Sequence, residues 1–170
     1  MRVLLISLVG WIVLIGAFYI TFVYGVDNFE AKLCDYGKTK SCHNAGYWSH
    51  VGSEEPKIEI NLDRAFKYYT KACDKKIPQS CHNLGILYSD KNDFENSIKY
   101  FDKGCELKFI PSCYQAMNKI LEAKPKNPLQ IKQGLEFGAK ICDINKDFCD
   151  KSKQDKIMKN MNLKIQKSLK

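Results

Sequence analysis

Four cysteine pairs recur along this chain in similar surroundings: KLCDYGKTKSCHNAG, KACDKKIPQSCHNLG, KGCELKFIPSC and KICDINKDFC. The first cysteines, Cys34, Cys73, Cys105 and Cys142, are 39, 32 and 37 positions apart. Self-similarity at this period marks stacked supersecondary units, each too small to bury its apolar face alone. Aligning on the cysteines brings Tyr68 onto Tyr100, Tyr69 onto Phe101 and Lys71 onto Lys103. A third copy keeps Phe137 and Lys140, and a degenerate one keeps Phe29 and Lys32. After the second cysteine, CHNAG at 42–46 matches CHNLG at 81–85.

The local patterns read as helices. Leu62, Ala65, Phe66, Tyr69, Ala72 and Cys73 fall at three- and four-residue steps, one face of a helix. Cys81, Leu84, Gly85 and Tyr88 repeat that rhythm, as do Ile98, Phe101, Gly104 and Cys105. Asn61 or Asp63 can cap a start, and Pro78 and Pro111 stand where a helix begins and a missing N–H costs nothing. The expectation is eight helices near 28–37, 40–49, 61–75, 79–89, 93–107, 112–123, 128–143 and 147–168. Gly85, Ala72, Gly104 and Ala116 lie on apolar faces, where small side chains let helices approach. A mid-helix glycine costs about 1 kcal/mol against alanine, so close packing is the expected compensation.

Residues eight apart on one continuous helix lie about 12 Å apart along its axis, whereas a disulfide needs Cα atoms about 4.4–6.8 Å apart. The chain must therefore turn between the cysteines of a pair, and Pro78 marks such a turn. Eight cysteines allow 105 connectivities; the repeat selects Cys34–Cys42, Cys73–Cys81, Cys105–Cys113 and Cys142–Cys149. Each bridge would pin the end of one helix to the first turn of the next. Zinc sites favour cysteines two to four residues apart, and none are so spaced. His43 and His82 directly follow cysteines, and helix neighbours point about 100° apart. No metal, haem or C-x-x-C redox site is expected, and no cofactor.

Val3 to Val26 is nearly unbroken apolar sequence, and about 20 such residues span a bilayer as a helix. Residues 1–26 are read as a retained signal anchor, with a cleaved signal peptide as the alternative because VYG offers small side chains to a peptidase. Either way the cysteines lie beyond it and face an oxidising compartment, where even cysteine sets form disulfides. The expected location is the periplasmic face of a bacterial inner membrane, single-pass, or the periplasm after cleavage. The charge is lopsided: of a net +8, residues 151–170 carry seven lysines and one acid. This tail has no aromatic to stack on bases, so a nucleic-acid partner is not expected. Its Ile157, Met161, Ile165 and Leu169 recur every four residues, the pattern of an amphipathic capping helix.

The pattern A-x-x-Y-Y-x-K-A-C, followed by P-x-S-C-H-N-L-G-x-L-Y, resembles the Sel1-like repeat, a relative of the tetratricopeptide repeat, and its stapled form is similar to the Helicobacter cysteine-rich proteins. The resemblance covers 27 to about 150 and is strongest over 61–115. It implies an all-α fold, an α/α solenoid in which antiparallel helix pairs form a superhelix with intra-array disulfides, after the N-terminal transmembrane or signal segment. The domain reading is 1–26 anchor, 27–150 repeat array and 151–170 basic cap. It also implies a concave surface for a protein or peptide partner; candidate contacts are His43, Asn44, His82, Asn83, Tyr88 and Tyr114. The expected function is a membrane-anchored scaffold of an envelope machine such as a flagellar motor or secretion system. Members of the family are described as penicillin-binding proteins or weak β-lactamases, so the alternative is hydrolysis of cell-wall-like amides, with cell-wall fragments as ligands. No S-x-x-K, G-x-S-x-G or H-E-x-x-H motif supplies the chemistry for it.

Overall fold

The computed structural model describes the backbone of residues 2–55, 57–122 and 128–146, with the side chains of 2–9, 17–24, 128, 130 and 131 left aside. Among the described residues the chain forms seven α-helices: α1 (Arg2–Asp35), α2 (Thr39–Val51), α3 (Leu62–Asp74), α4 (Pro78–Asp90), α5 (Phe94–Glu106), α6 (Ile110–Glu122) and α7 (Pro128–Ile144). They agree with the periodicity to within a few residues. The expected helix at 147–168, and with it the cap, lies outside the described residues. The chain divides into two compact units, Met1–Lys75 and Lys76–Lys170.

The N-terminal unit holds α1 to α3, with α2 packed on both. Here α1 is two helices merged across Gly25, whose φ of 72° and ψ of 153° are not helical. A Cβ at Gly25 would come within 2.7 Å of Asp27 Oδ1, so the break requires glycine. Just beyond it, Arg64 of α3 donates to Asp27 Oδ2 at 2.9 Å, to the Asp27 carbonyl at 3.2 Å and to Asn28 Oδ1 at 2.7 Å. That fork ties the restarted helix to α3. Among the described residues no helix is long and apolar enough to cross a membrane. Most of the apolar run lies in stretches whose side chains are outside the description.

The C-terminal unit packs α4 on α5, α5 on α6 and α6 on α7. Its core joins Phe101, Cys105, Cys113, Ala116, Met117, Ile120, Phe137 and Ile141. Asp93 caps α5 by accepting from the Asn96 N–H at 3.1 Å, as Asn61 caps α3 by accepting from the Arg64 N–H at 2.9 Å.

Two bridges join the helix ends as the spacing requires. Cys34–Cys42 and Cys105–Cys113 have Cα separations of 4.5 and 4.7 Å, and all four cysteines are buried. Cys73, Cys81 and Cys142 are also disulfide-bonded, and Cys149 lies outside the described residues. The turn inside each span is of one kind: the third residue after the first cysteine, Gly37, Lys76 or Lys108, has a positive φ. A bridge closing nine residues contributes about 2.5 kcal/mol through loop entropy, in the chain-entropy account.

Within each pair the helices meet through a small residue set against a large one. A Cβ on Gly46 would lie 2.6 Å from the Tyr69 ring, and one on Gly85 would lie 2.6 Å from the Phe101 ring. In the third pair the roles reverse. Met117 stands four residues after its cysteine, where Gly46 and Gly85 stand, and Gly138 stands four before Cys142, where Tyr69 and Phe101 precede theirs. A Cβ on Gly138 would meet only Met117 Sδ, at 3.9 Å, which is ordinary contact.

The two glycines therefore respond oppositely to the same change. Gly85→Ala drives a methyl into the fully buried Phe101 ring and should lower stability by about 1–3 kcal/mol despite its better helix propensity. Gly138→Ala meets no clash and should raise stability by about 0.5–1 kcal/mol. Denaturant unfolding of the two variants beside the parent checks both signs.

Candidate functional site

The repeat places a lysine two residues before each first cysteine and an aromatic ring three residues before that lysine. On helices these residues are neighbours: Lys71 Nζ lies 5.6 Å from the Tyr68 ring centre, Lys103 Nζ 5.2 Å from Tyr100 and Lys140 Nζ 4.9 Å from Phe137. At these distances each ammonium sits over the ring face, a cation–π contact. Two of these ammonium groups reach an acid on an earlier helix. Lys71 donates to Asp35 at 2.7 Å, and this bond, first among its causes, holds the Asp35 carboxyl below its usual range. Lys140 donates to Asp102 on α5 at 2.7 Å.

The Lys140–Asp102 pair spans a cleft of about 210 Å³ in the C-terminal unit. Ile98, Ile120 and Phe137 form its apolar part, and Asp102, Gln133, Glu136 and Lys140 supply polar groups. Ile120 and Phe137 are buried while Gln133 and Glu136 are exposed, so a dry floor carries a wet rim. Glu136 makes no ion pair among the described residues. A single apolar side chain fits the floor, and the rim can orient a peptide through hydrogen bonds and charge, the usual division of labour in a recognition site.

None of the six residues singled out from the sequence lines this cleft. His43 lies 5.9 Å from the Tyr69 ring, and Asn44 donates to Glu30 Oε1 at 2.9 Å. His82 packs its ring 5.4 Å from Phe101 and 5.3 Å from Phe109, with Nδ1 3.1 Å from Ser112 Oγ. Asn83 is half-buried on α4. Tyr88 stacks on Tyr100, centres 5.2 Å apart and planes 5° from parallel, and burial, aided by Tyr100, raises its phenol pKa. Tyr114 is half-buried on α6, and burial raises its pKa too. The polar cleft residues the sequence reading passed over, Asp102, Gln133 and Glu136, belong to second helices, α5 and α7. The repeated lysine was visible as a match, but which helices flank a groove is decided by packing. No cluster of three or more His, Cys, Asp or Glu side chains suited to a metal ion occurs among the described residues.

Burial lowers the pKa of both His43 and His82 from the usual 6.5. The unfolded chain then binds more protons in the window between the two values. Stability from these histidines is complete above about 6.5 and is lost as pH falls through the folded pKa. The lowered carboxyls of Asp35 and Asp93 act only below about 3.8, a separate window. The melting temperature should therefore fall between pH 7 and pH 5, with a shallower slope in His82→Gln. An unchanged slope in the variant would remove His82 as a source.

The geometry has counterparts in known proteins. The Sel1 repeat matches residues 39–76, which is α2 with α3, and the tetratricopeptide repeat matches 78–110, which is α4 with α5. The chain is similar to cytochrome c oxidase assembly factor 7 of Xenopus tropicalis, 38% identical over 89 residues, covering 44% of this chain and 36% of that protein. The Homo sapiens protein of that name is 32% identical over 84 residues with the same coverage. The Drosophila melanogaster homolog is 30% identical over 64 residues, covering 38% of this chain and 24% of its own length. The match thus spans little more than a third of the longer-matching relatives. With helix pairs, cysteine spacing and both repeat matches in the same register, the chain is a Sel1-like, tetratricopeptide-related repeat protein.

Proposed function

We propose that this chain is a non-catalytic module that binds a protein partner through the α5–α7 cleft, and that it serves as a scaffold in building a membrane-bound machine. Repeats of the Sel1 and tetratricopeptide kind characteristically present surfaces for protein partners. The observation that carries the reading is the cleft, whose apolar floor and ionic rim stand on helices fixed by a buried bridge. A rigid site loses little ordering entropy on binding. The relatives' name, assembly factor for an oxidase, supports a role in assembly. A flagellar motor, a secretion system and a terminal oxidase are the machines that fit it.

In this proposal residues 3–26 hold the array on the outer face of a cytoplasmic membrane. The apolar run and the bridged cysteines support that location, since disulfides persist where thiols are not kept reduced.

A photo-crosslinking residue placed at Gln133 of the full chain, in its own cells, tests the proposal. One discrete adduct with another protein is expected, and it should weaken about tenfold when Lys140→Glu reverses the rim charge. Absence of any adduct, or one indifferent to Lys140, would sink the cleft as the binding site.

A further inference from the structure

The connection between α2 and α3 is unlike its counterpart. The link from α4 to α5 takes three residues, 91–93, whereas 52–61 takes ten. The described residues of this connection are folded. Ser53 and Ile58 exchange both backbone hydrogen bonds, at 3.0 and 2.8 Å, and the Asn61 N–H donates to the Ser49 carbonyl at 2.7 Å. Gly52 enters with a φ of 68°, and a Cβ there would lie 2.7 Å from the Ile58 carbonyl oxygen. Ile58 is buried and anchors the excursion. A long connection that is ordered rather than loose is commonly functional.

What this hairpin displays is apolar. Ile60 is 64% exposed and lies over Gly52, where its Cγ1 would be 3.1 Å from an added Cβ. Val51, beside Gly52, is exposed, and so are Tyr47 one turn earlier on α2 and Leu62 at the start of α3. The Asn61–Ser49 bond holds the 60–62 segment against the last turn of α2, which makes these side chains one patch. Residues 52–63 carry four exposed acids, Glu54, Glu55, Glu59 and Asp63, against one lysine, Lys57, whose contact with Glu59 is 3.7 Å in open solvent. An apolar patch with a charged rim marks a docking surface, and the sign of the rim selects its occupant. Anionic lipid is repelled by it. A lysine-rich amphipathic helix satisfies patch and rim together.

We propose that the 52–61 hairpin and the end of α2 form a second interaction surface, distinct from the cleft, for a basic amphipathic helix of a partner protein. Apolar residues of that helix cover Ile60, Val51, Leu62 and Tyr47, and its lysines meet Glu54, Glu55, Glu59 and Asp63.

The test uses purified full chain and two synthetic amphipathic peptides with the same leucine spacing, one bearing lysines on its polar face and the other glutamates. Fluorescence anisotropy should show the lysine peptide binding, with affinity falling as salt rises. Ile60→Asp should weaken it about tenfold, and a Glu54→Lys, Glu55→Lys double variant should weaken it similarly. All three positions are exposed, and unchanged helical circular dichroism confirms that the variants fold. Equal binding of the glutamate peptide, indifference to Ile60→Asp, or no binding of either peptide would overturn the proposal. So would self-association in sedimentation that Ile60→Asp abolishes, because the occupant would then be a second copy of this chain.

Discussion

The contact of a glycine with an aromatic ring governs how closely the helices of each pair can approach. Gly46 accepts the Tyr69 ring and Gly85 the Phe101 ring at distances no side chain would permit. The surrounding residues comply: Ala65 and Ser97, each eight before a first cysteine, are fully buried, and the Ser97 hydroxyl satisfies the Gly85 carbonyl at 2.8 Å. What is fixed is the summed volume at the crossing, not the residue type on either helix. The third pair makes this plain, because Met117 and Gly138 exchange large for small and the helices still meet. Jigsaw packing of this kind tolerates exchange where volume is kept.

The bridges and the crossings act on different joints. Each crossing joins two helices inside one repeat, whereas Cys105–Cys113 fastens the end of α5 to the start of α6, across the seam between repeats. With both joints fixed, the α5, α6 and α7 side chains that line the cleft have little freedom to shift relative to one another. The Lys140–Asp102 pair, about 40% exposed on each side, contributes little to stability and more to the rim's polarity.

Much of this fold was legible in the sequence because cysteine spacing, proline and helical periodicity all speak of local geometry. Pro78 is the first residue of α4, and Asn61 is the cap of α3, as their positions indicated. Gly25 was harder: among small residues ahead of Asp27 it resembled a peptidase cue, while its positive φ breaks α1. The pairing of Ser53 with Ile58 between α2 and α3 has no periodic signal in the sequence. The exchange at Met117 and Gly138 is invisible unless the facing helix is known. For the site, residues on the helices that follow the second cysteines drew attention, yet His82 and Tyr88 face neighbouring rings. Asp102 and Glu136 lay unnoticed as ordinary surface charges until packing brought α5 and α7 to one groove.

Short-range pairing has a consequence for how the chain matures. In both bridges, Cys34–Cys42 and Cys105–Cys113, each cysteine joins the very next one, eight residues on. Such a bridge can close once about nine residues of chain are free to fold, with no wait for distant sequence. The most extensive helix packing within each unit is likewise between chain neighbours, the low contact order of fast folders. Closing neighbouring cysteines in chain order gives these two bridges without any reshuffling of mispaired thiols.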